Sequence, residues 1–259
     1  MGITETQKQP ENTGKKIFLL YPHSVIKSEM LDLLIMAGFE TYTVHDEKTA
    51  VKLLIKFPGS IMFINIDEGM DEKDWEVYIR ALQESPKTKD CRLGIMSYNK
   101  DTDLMKKYLM DLSIPCGYVQ LKLGLKESTK IIINTLEAID ARGRRSSIRV
   151  DCSDDMHTTL NFKGDTGLCQ GKILDMSSTG IAARIDKMPH YSLNSILHSV
   201  QLKLYSGIVM TDMIYMGRRE NDNSIHIMLF DPKMPLDSKL VVHHYIKQCL
   251  QKYISELKL

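Results

Sequence analysis

No apolar run in this 259-residue chain approaches the about 18 uninterrupted residues of a membrane-crossing helix. Net charge is nearly absent too. Lys and Arg number 34 against 33 Asp and Glu, so no global field attracts a long nucleic acid, and any anion site must come from local clustering. Aromatic residues make up 7% of the chain, and neither a stacking surface nor a basic helix stands out, which counts against nucleic acid as a partner. The five cysteines, Cys91, Cys116, Cys152, Cys169 and Cys249, are odd in number and widely spread, without a CxxC pair. That spacing suits neither a zinc site nor a disulfide framework, and free, buried thiols in a reducing cytosol are expected. The eight histidines, His243-His244 included, show no metal-ligand spacing, so no metal and no cofactor is expected. A nucleophile with its base, a phosphate-cradling glycine loop and a cluster of catalytic carboxylates are all missing, and the chain reads as a receptor, not an enzyme. The stretch Met1 to Lys16 is polar, without the apolar core of a signal peptide, which points to the cytoplasm. Its match to a myristoylation pattern, Met1 to Thr6, reads as chance.

What is present divides in two, as the length suits two domains of ordinary size. In the first half, Ile17-Phe-Leu-Leu20 is a strand-like run, and Val25, Met30, Leu33, Leu34 and Ala37 recur at helical spacing up to Gly38. The cycle continues through Thr41 to Val44, a helix near Asp46 to Lys56, Ile61 to Ile64 and a helix around Trp75. It closes with Leu93 to Met96, a helix from Asp103 to Leu112, Tyr118 to Leu121, and a helix from Leu125 to about Ala141. Such alternation predicts a doubly wound parallel sheet.

This half resembles a response-regulator receiver domain, with departures that matter. A receiver places a metal-binding carboxylate pair after its first strand, where this chain has Tyr21-Pro-His23, and a phospho-accepting Asp at the end of the third, where it has Asn65. An amide does not accept a phosphoryl group as a carboxylate does. Asp67 is the alternative acceptor, and Ser97 and Lys122 fall near the usual hydroxyl and lysine positions. The expectation is a degenerate pseudo-receiver acting through its surfaces. Its last helix carries Ile131, Ile132, Thr135 and Ile139 for packing, and no long Gly/Ser/Pro linker follows it.

The second half opens on arginine. Arg142, Arg144, Arg145 and Arg149 lie within eight positions, and downstream comes Asp175-Met-Ser177-Ser-Thr-Gly180 inside a strand-like run. Guanidinium groups bind phosphate oxygens or guanine O6 and N7 bidentately, while a carboxylate accepts from guanine N–H groups. Asp175 and Ser177, at i and i+2 of a strand, would share a face, and Gly180 would relieve a tight turn or admit a close approach to the backbone. By itself the DxSxxG stretch is also compatible with a simple turn.

Arg145-Ser-Ser-Ile-Arg149 followed by Asp175-Met-Ser177-Ser-Thr-Gly180 resembles the RxxxR and (D/N)xSxxG motifs of the PilZ family of cyclic-di-GMP receptors, over roughly residues 142 to 256. The resemblance implies a small antiparallel barrel with a closing helix, on which Val242, Ile246, Cys249, Tyr253 and Leu257 mark an apolar stripe. It also implies a ligand site in which Arg145 and Arg149 grip guanine and phosphate, Asp175 and Ser177 bond the same nucleotide, and Gly180 shapes the floor. Arg144, just before the first motif, implies two intercalated ligands per chain. Arg142, Arg184, Arg218 and Arg219 are left outside the site as ordinary exposed arginines.

The expected architecture is therefore α/β plus β. A disordered leader (1–15) precedes a pseudo-receiver (16–141) and a PilZ domain (142–259), the last with an arginine loop (142–149), a barrel over about 150–232 and a helix over about 235–257. The expected function is that of a cyclic-di-GMP effector whose ligand orders the arginine loop, changes the interdomain arrangement and signals to a protein partner, in a process such as motility. The alternatives are a PilZ-fold interaction module without ligand and a response regulator driven by phosphorylation.

Overall fold

The computed structural model describes residues 14–143, 147–165, 167–185 and 187–258. The chain divides into two compact units, with the boundary immediately before Ser147. Residues 1–13 of the expected leader lie outside the described residues, whereas the Lys15 amide already donates to the Ala141 carbonyl at 2.8 Å.

The first unit alternates strands and helices: β1 (Ile17–Leu20), α1 (Ser24–Met36), β2 (Thr41–Val44), α2 (Glu47–Lys56), β3 (Ile61–Asn65), α3 (Glu72–Glu84), β4 (Arg92–Ser97), α4 (Thr102–Lys106), β5 (Tyr118–Gln120) and α5 (Leu125–Ala138). Its five strands are all parallel, in the order β2-β1-β3-β4-β5. Every residue of β1 and β3 is buried, as sheets covered on both faces require. Ile17, Leu19, Phe63, Met96, Ile132 and Leu136 meet in the core on one of those faces. Asp46 caps α2, accepting from the Thr49 amide at 2.7 Å.

Two helices differ from the sequence expectation. The one expected over Asp103 to Leu112 is a short α4 followed by a π turn, Lys107–Asp111. The last helix stops at Ala138 and does not reach Ala141, because Asp140 turns into the left-handed region (φ 51°). The Asp140 amide then bonds Glu137 O and the Ala141 amide bonds Leu136 O, the reversed pairing of a Schellman terminus.

The second unit contains β6 (Arg149–Asp151), β7 (Thr159–Gly164), β8 (Gly167–Ser177), β9 (Gly180–Ile185), β10 (Ile196–Leu204), β11 (Gly207–Arg219), β12 (Asp222–Phe230) and α6 (Leu236–Glu256). Six strands close in the order β8-β7-β10-β11-β12-β9 and back to β8, all antiparallel, with β6 added along the end of β8. Closure removes the free edges of the sheet.

On α6 the buried positions are Val242, Tyr245, Ile246, Leu250 and Ile254. The stripe expected from sequence is thus rotated: Tyr253 is exposed, Cys249 half-buried, and Leu257 lies just past the helix. The shift follows the Tyr245 hydroxyl, which bonds Thr158 at 2.8 Å and donates to Asp155 at 3.1 Å.

All five cysteines are free, with Cys116, Cys152 and Cys169 buried. Burial pushes the Cys116 thiol up to about 11 and Cys152 up to about 12. Among the described residues no helix is long and apolar enough to cross a membrane.

Candidate functional site

The two sequence motifs meet where β6 runs beside the end of β8. Arg149 is the first residue of β6, opposite Ser177, and Asp151 stands opposite Asp175. The RxxxR therefore ends in a strand, whereas the sequence placed Arg149 in a loop. On its other edge β8 pairs with β9, where Asp175 faces Ala182 after a register shift that begins at Ile173. Such a bulge bends the strand and re-aims its side chains. Arg149, Asp175, Ser177 and Gly180 line one shallow depression, together with Ala182, Ile227 and Leu229.

Asp175 is the charged centre. Its side chain is only 17% exposed, and both oxygens face guanidiniums: Oδ1 lies 3.5 Å from Arg149 Nη1, and Oδ2 accepts from Arg219 Nη2 at 2.6 Å. Arg219, which the sequence reading set aside as an ordinary exposed arginine, is thus paired with Asp175. A usable signal was present in the run Gly217-Arg218-Arg219, because a glycine inside a strand often marks a bulge that redirects the residues after it. Arg142 and Arg184 lie elsewhere, paired with Glu137 and Asp222.

Ser177 is buried and occupied by its own turn. Its hydroxyl bonds Thr179 Oγ1 at 3.0 Å, donates to the Gly180 carbonyl at 3.3 Å and accepts from the Thr179 amide at 3.3 Å. Thr179 in turn lies 3.4 Å from the Ser147 hydroxyl, which links the two motifs by side chains. Gly180 is needed for a close approach of backbone. A Cβ there would stand 2.3 Å from the Met228 carbonyl oxygen and 2.9 Å from Leu229 Cα. The turn and the site are thus the same residues. Arg144 and Arg145 lie outside the described residues.

A carboxylate between two guanidiniums, beside a small apolar floor, can accept from a two-donor N–H edge and supply N–H donors to an anion.

In the first unit, the place where β1 and β3 neighbour each other is the topological switch point of the sheet, where such folds bind ligands. Asn65 is fully buried there, its amide donating to the Tyr21 carbonyl at 2.9 Å. Asp67 is committed as well: Oδ1 accepts from the Ser97 hydroxyl at 2.5 Å and Oδ2 from the Tyr98 amide at 2.6 Å. Ser97 thus already holds a carboxylate of the same chain. Lys122 is exposed in a single 3₁₀ turn, Leu121–Leu123. Among the described residues no group of three His, Cys, Asp or Glu side chains is placed to hold a metal ion.

No family model matches the chain, and no curated protein does. Solved structures do. The PilZ domain of YcgR from Escherichia coli with c-di-GMP is similar over 44% of this chain and 99% of that one, at 9% identity and a TM-score of 0.36. The MrkH–c-di-GMP complex of K. pneumonia is similar over 45% of this chain and 57% of that one, at 16% identity and a TM-score of 0.38. The Bacillus subtilis inhibitor of motility, MotI/DgrA, is similar over 44% and 53%, at 11% identity and a TM-score of 0.34. This chain therefore spans little more than half the length of the latter two. In its motif pair and in its closed six-stranded barrel with a final helix, the carboxy-terminal unit resembles the PilZ family.

Proposed function

We propose that the chain is a cyclic-di-GMP receptor and not an enzyme, with Arg145, Arg149, Asp175, Ser177 and Gly180 forming the ligand site and Arg144 favouring a second ligand molecule. The observation that carries the reading is the convergence of Arg149, Asp175, Ser177 and Gly180 from two separated motifs on one depression of the outer barrel face. Asp175 would accept from the N1–H and N2–H edge of guanine, and the arginines would donate to phosphate and to O6 or N7. Ser177 and Gly180 would act by holding the turn that sets the site's shape, since the serine hydroxyl already serves Thr179 and Gly180.

Binding at the arginine loop ahead of β6 would order that loop, change the relation between the units and so signal to a protein partner. In that scheme the first unit takes no phosphoryl signal. Asn65 supplies no acceptor carboxylate, and both oxygens of Asp67 are already bonded. Equilibrium dialysis of the full chain against cyclic-di-GMP, with GTP as control, tests the reading. Retention of cyclic-di-GMP alone supports it, and equal retention of both or of neither refutes it.

A further inference from the structure

The ligand site as the motifs define it takes no account of Arg219, yet among the described residues the shortest side-chain contact at the Asp175 carboxylate is with this arginine. We propose that Arg219 is a further arginine of the ligand site, binding a phosphate oxygen of the nucleotide from beside Asp175. The proposal rests on the cyclic-di-GMP reading and extends it.

The fold directs Arg219 to this place. Register in the β11–β12 hairpin shifts between Tyr215 and Gly217 and again between Arg218 and Arg219. Gly217 has φ 102°, a backbone state that side chains rarely adopt, and a Cβ there would lie 3.0 Å from Leu193 Cδ2. Bulges of this kind twist a strand end and turn its side chains in a new direction. Gly217 stands opposite Ile227, Ile227 opposite Ala182, and Ala182 opposite Asp175. Arg219 spans this row to reach Asp175.

An arginine at a hairpin end would ordinarily pair with the acid beside it. Asp222 is directly opposite Arg219 in the hairpin, yet Asp222 takes Arg184 at 3.5 Å and the Ser224 hydroxyl at 2.6 Å, while Arg219 goes to a carboxylate three strands away. The contact is therefore built by the bulge and is not a neighbour's convenience.

Charge and donor count then say what Arg219 is for. With Arg144, Arg145 and Arg149 set against Asp175, the site proposed above already carries net positive charge, and Arg219 adds one more, which suits a ligand whose two phosphodiesters are each negative. A guanidinium has five N–H donors. One serves Asp175, and the others are available to an anion beside that carboxylate.

Calorimetric titration of the full chain with cyclic-di-GMP, at low and high salt, tests this on the wild type, Arg219→Ala and Arg219→Gln. Both variants are expected to bind about tenfold to a hundredfold more weakly. They should keep the melting temperature of the ligand-free protein and lose less affinity on raising the salt than the wild type does, since a charged contact open to salt screening has been removed. Binding as tight as wild type, or tighter, overturns the proposal. So does weaker binding with the wild-type salt dependence, which would make Arg219 a prop for Asp175 and nothing more. Should Arg219→Ala fail to fold, Arg219→Gln decides by the same criteria. A wild type that binds nothing overturns the receptor reading and this proposal with it, whereas a binding wild type with unaffected variants overturns this proposal alone.

Discussion

Arg149 and Asp175 illustrate how little local sequence separates a scaffold residue from a site residue. Arg149 begins a three-residue strand, its side chain is 40% exposed, and its partner Asp175 stays paired with Arg219 when it is removed. Arg149→Ala should therefore change the melting temperature of the ligand-free protein little, by less than about 0.5 kcal/mol in stability, while weakening cyclic-di-GMP binding about tenfold to a hundredfold. Thermal melting and titration on the same sample check both halves, and a fall in melting temperature would make Arg149 scaffold. His226 is a residue of the opposite kind. It is 2% exposed and bonded to the Tyr215 hydroxyl at 3.1 Å, and burial, with Arg218 nearby, holds its pKa below the usual imidazole value. The unfolded chain then takes up the proton first as pH falls. This stability is fully present above about pH 6.5 and is lost as pH drops toward the lowered folded value. His226→Asn should show a flatter decline in melting temperature between pH 7 and 5 than the wild type, and parallel curves would contradict the assignment.

Among the elements, those of the first unit were the most legible. β1 and β3 read from their apolar runs, α1 from its period and the stop at Gly38, and α2 was expected near Asp46 to Lys56, close to its observed span. The end of α5 was not legible, because an Asp in the left-handed conformation replaces the glycine that would have marked it. The face of α6 was misread for a related reason. Tyr245 is amphipathic, and its burial depends on Thr158 and Asp155, which belong to a distant segment. Arg149, Asp175, Ser177 and Gly180 line one depression, a proximity that the family resemblance implied and local periodicity did not. Arg219 stayed hidden because it arrives through a bulge in β11 and a barrel closure that local periodicity does not encode. Gly180 supplies the test at this scale. Ala in its place would press a Cβ against the backbone of β12, which is fixed by pairing on both sides. Gly180→Ala should lose about 1–3 kcal/mol of stability in denaturant titration. A variant as stable as wild type would show that β9 and β12 can separate there at no cost.

For the whole molecule, one unit carries the proposed nucleotide site and the other a five-stranded parallel sheet in which Asp67 is already bonded to Ser97 and to the Tyr98 amide. Incubation with a small-molecule phosphodonor and magnesium should therefore leave the chain unlabelled, by mass spectrometry under mild conditions. Stoichiometric labelling abolished by Asp67→Asn would restore the response-regulator alternative. The central claim, that the outer face of the barrel at Asp175 receives cyclic-di-GMP, is tested most directly by calorimetric titration of the full chain beside Asp175→Ala. The account predicts a saturable heat for the wild type and a loss of affinity of about tenfold or more for the variant, whose guanine-edge acceptor is gone. No heat from the wild type, or the same isotherm from both proteins, would contradict it.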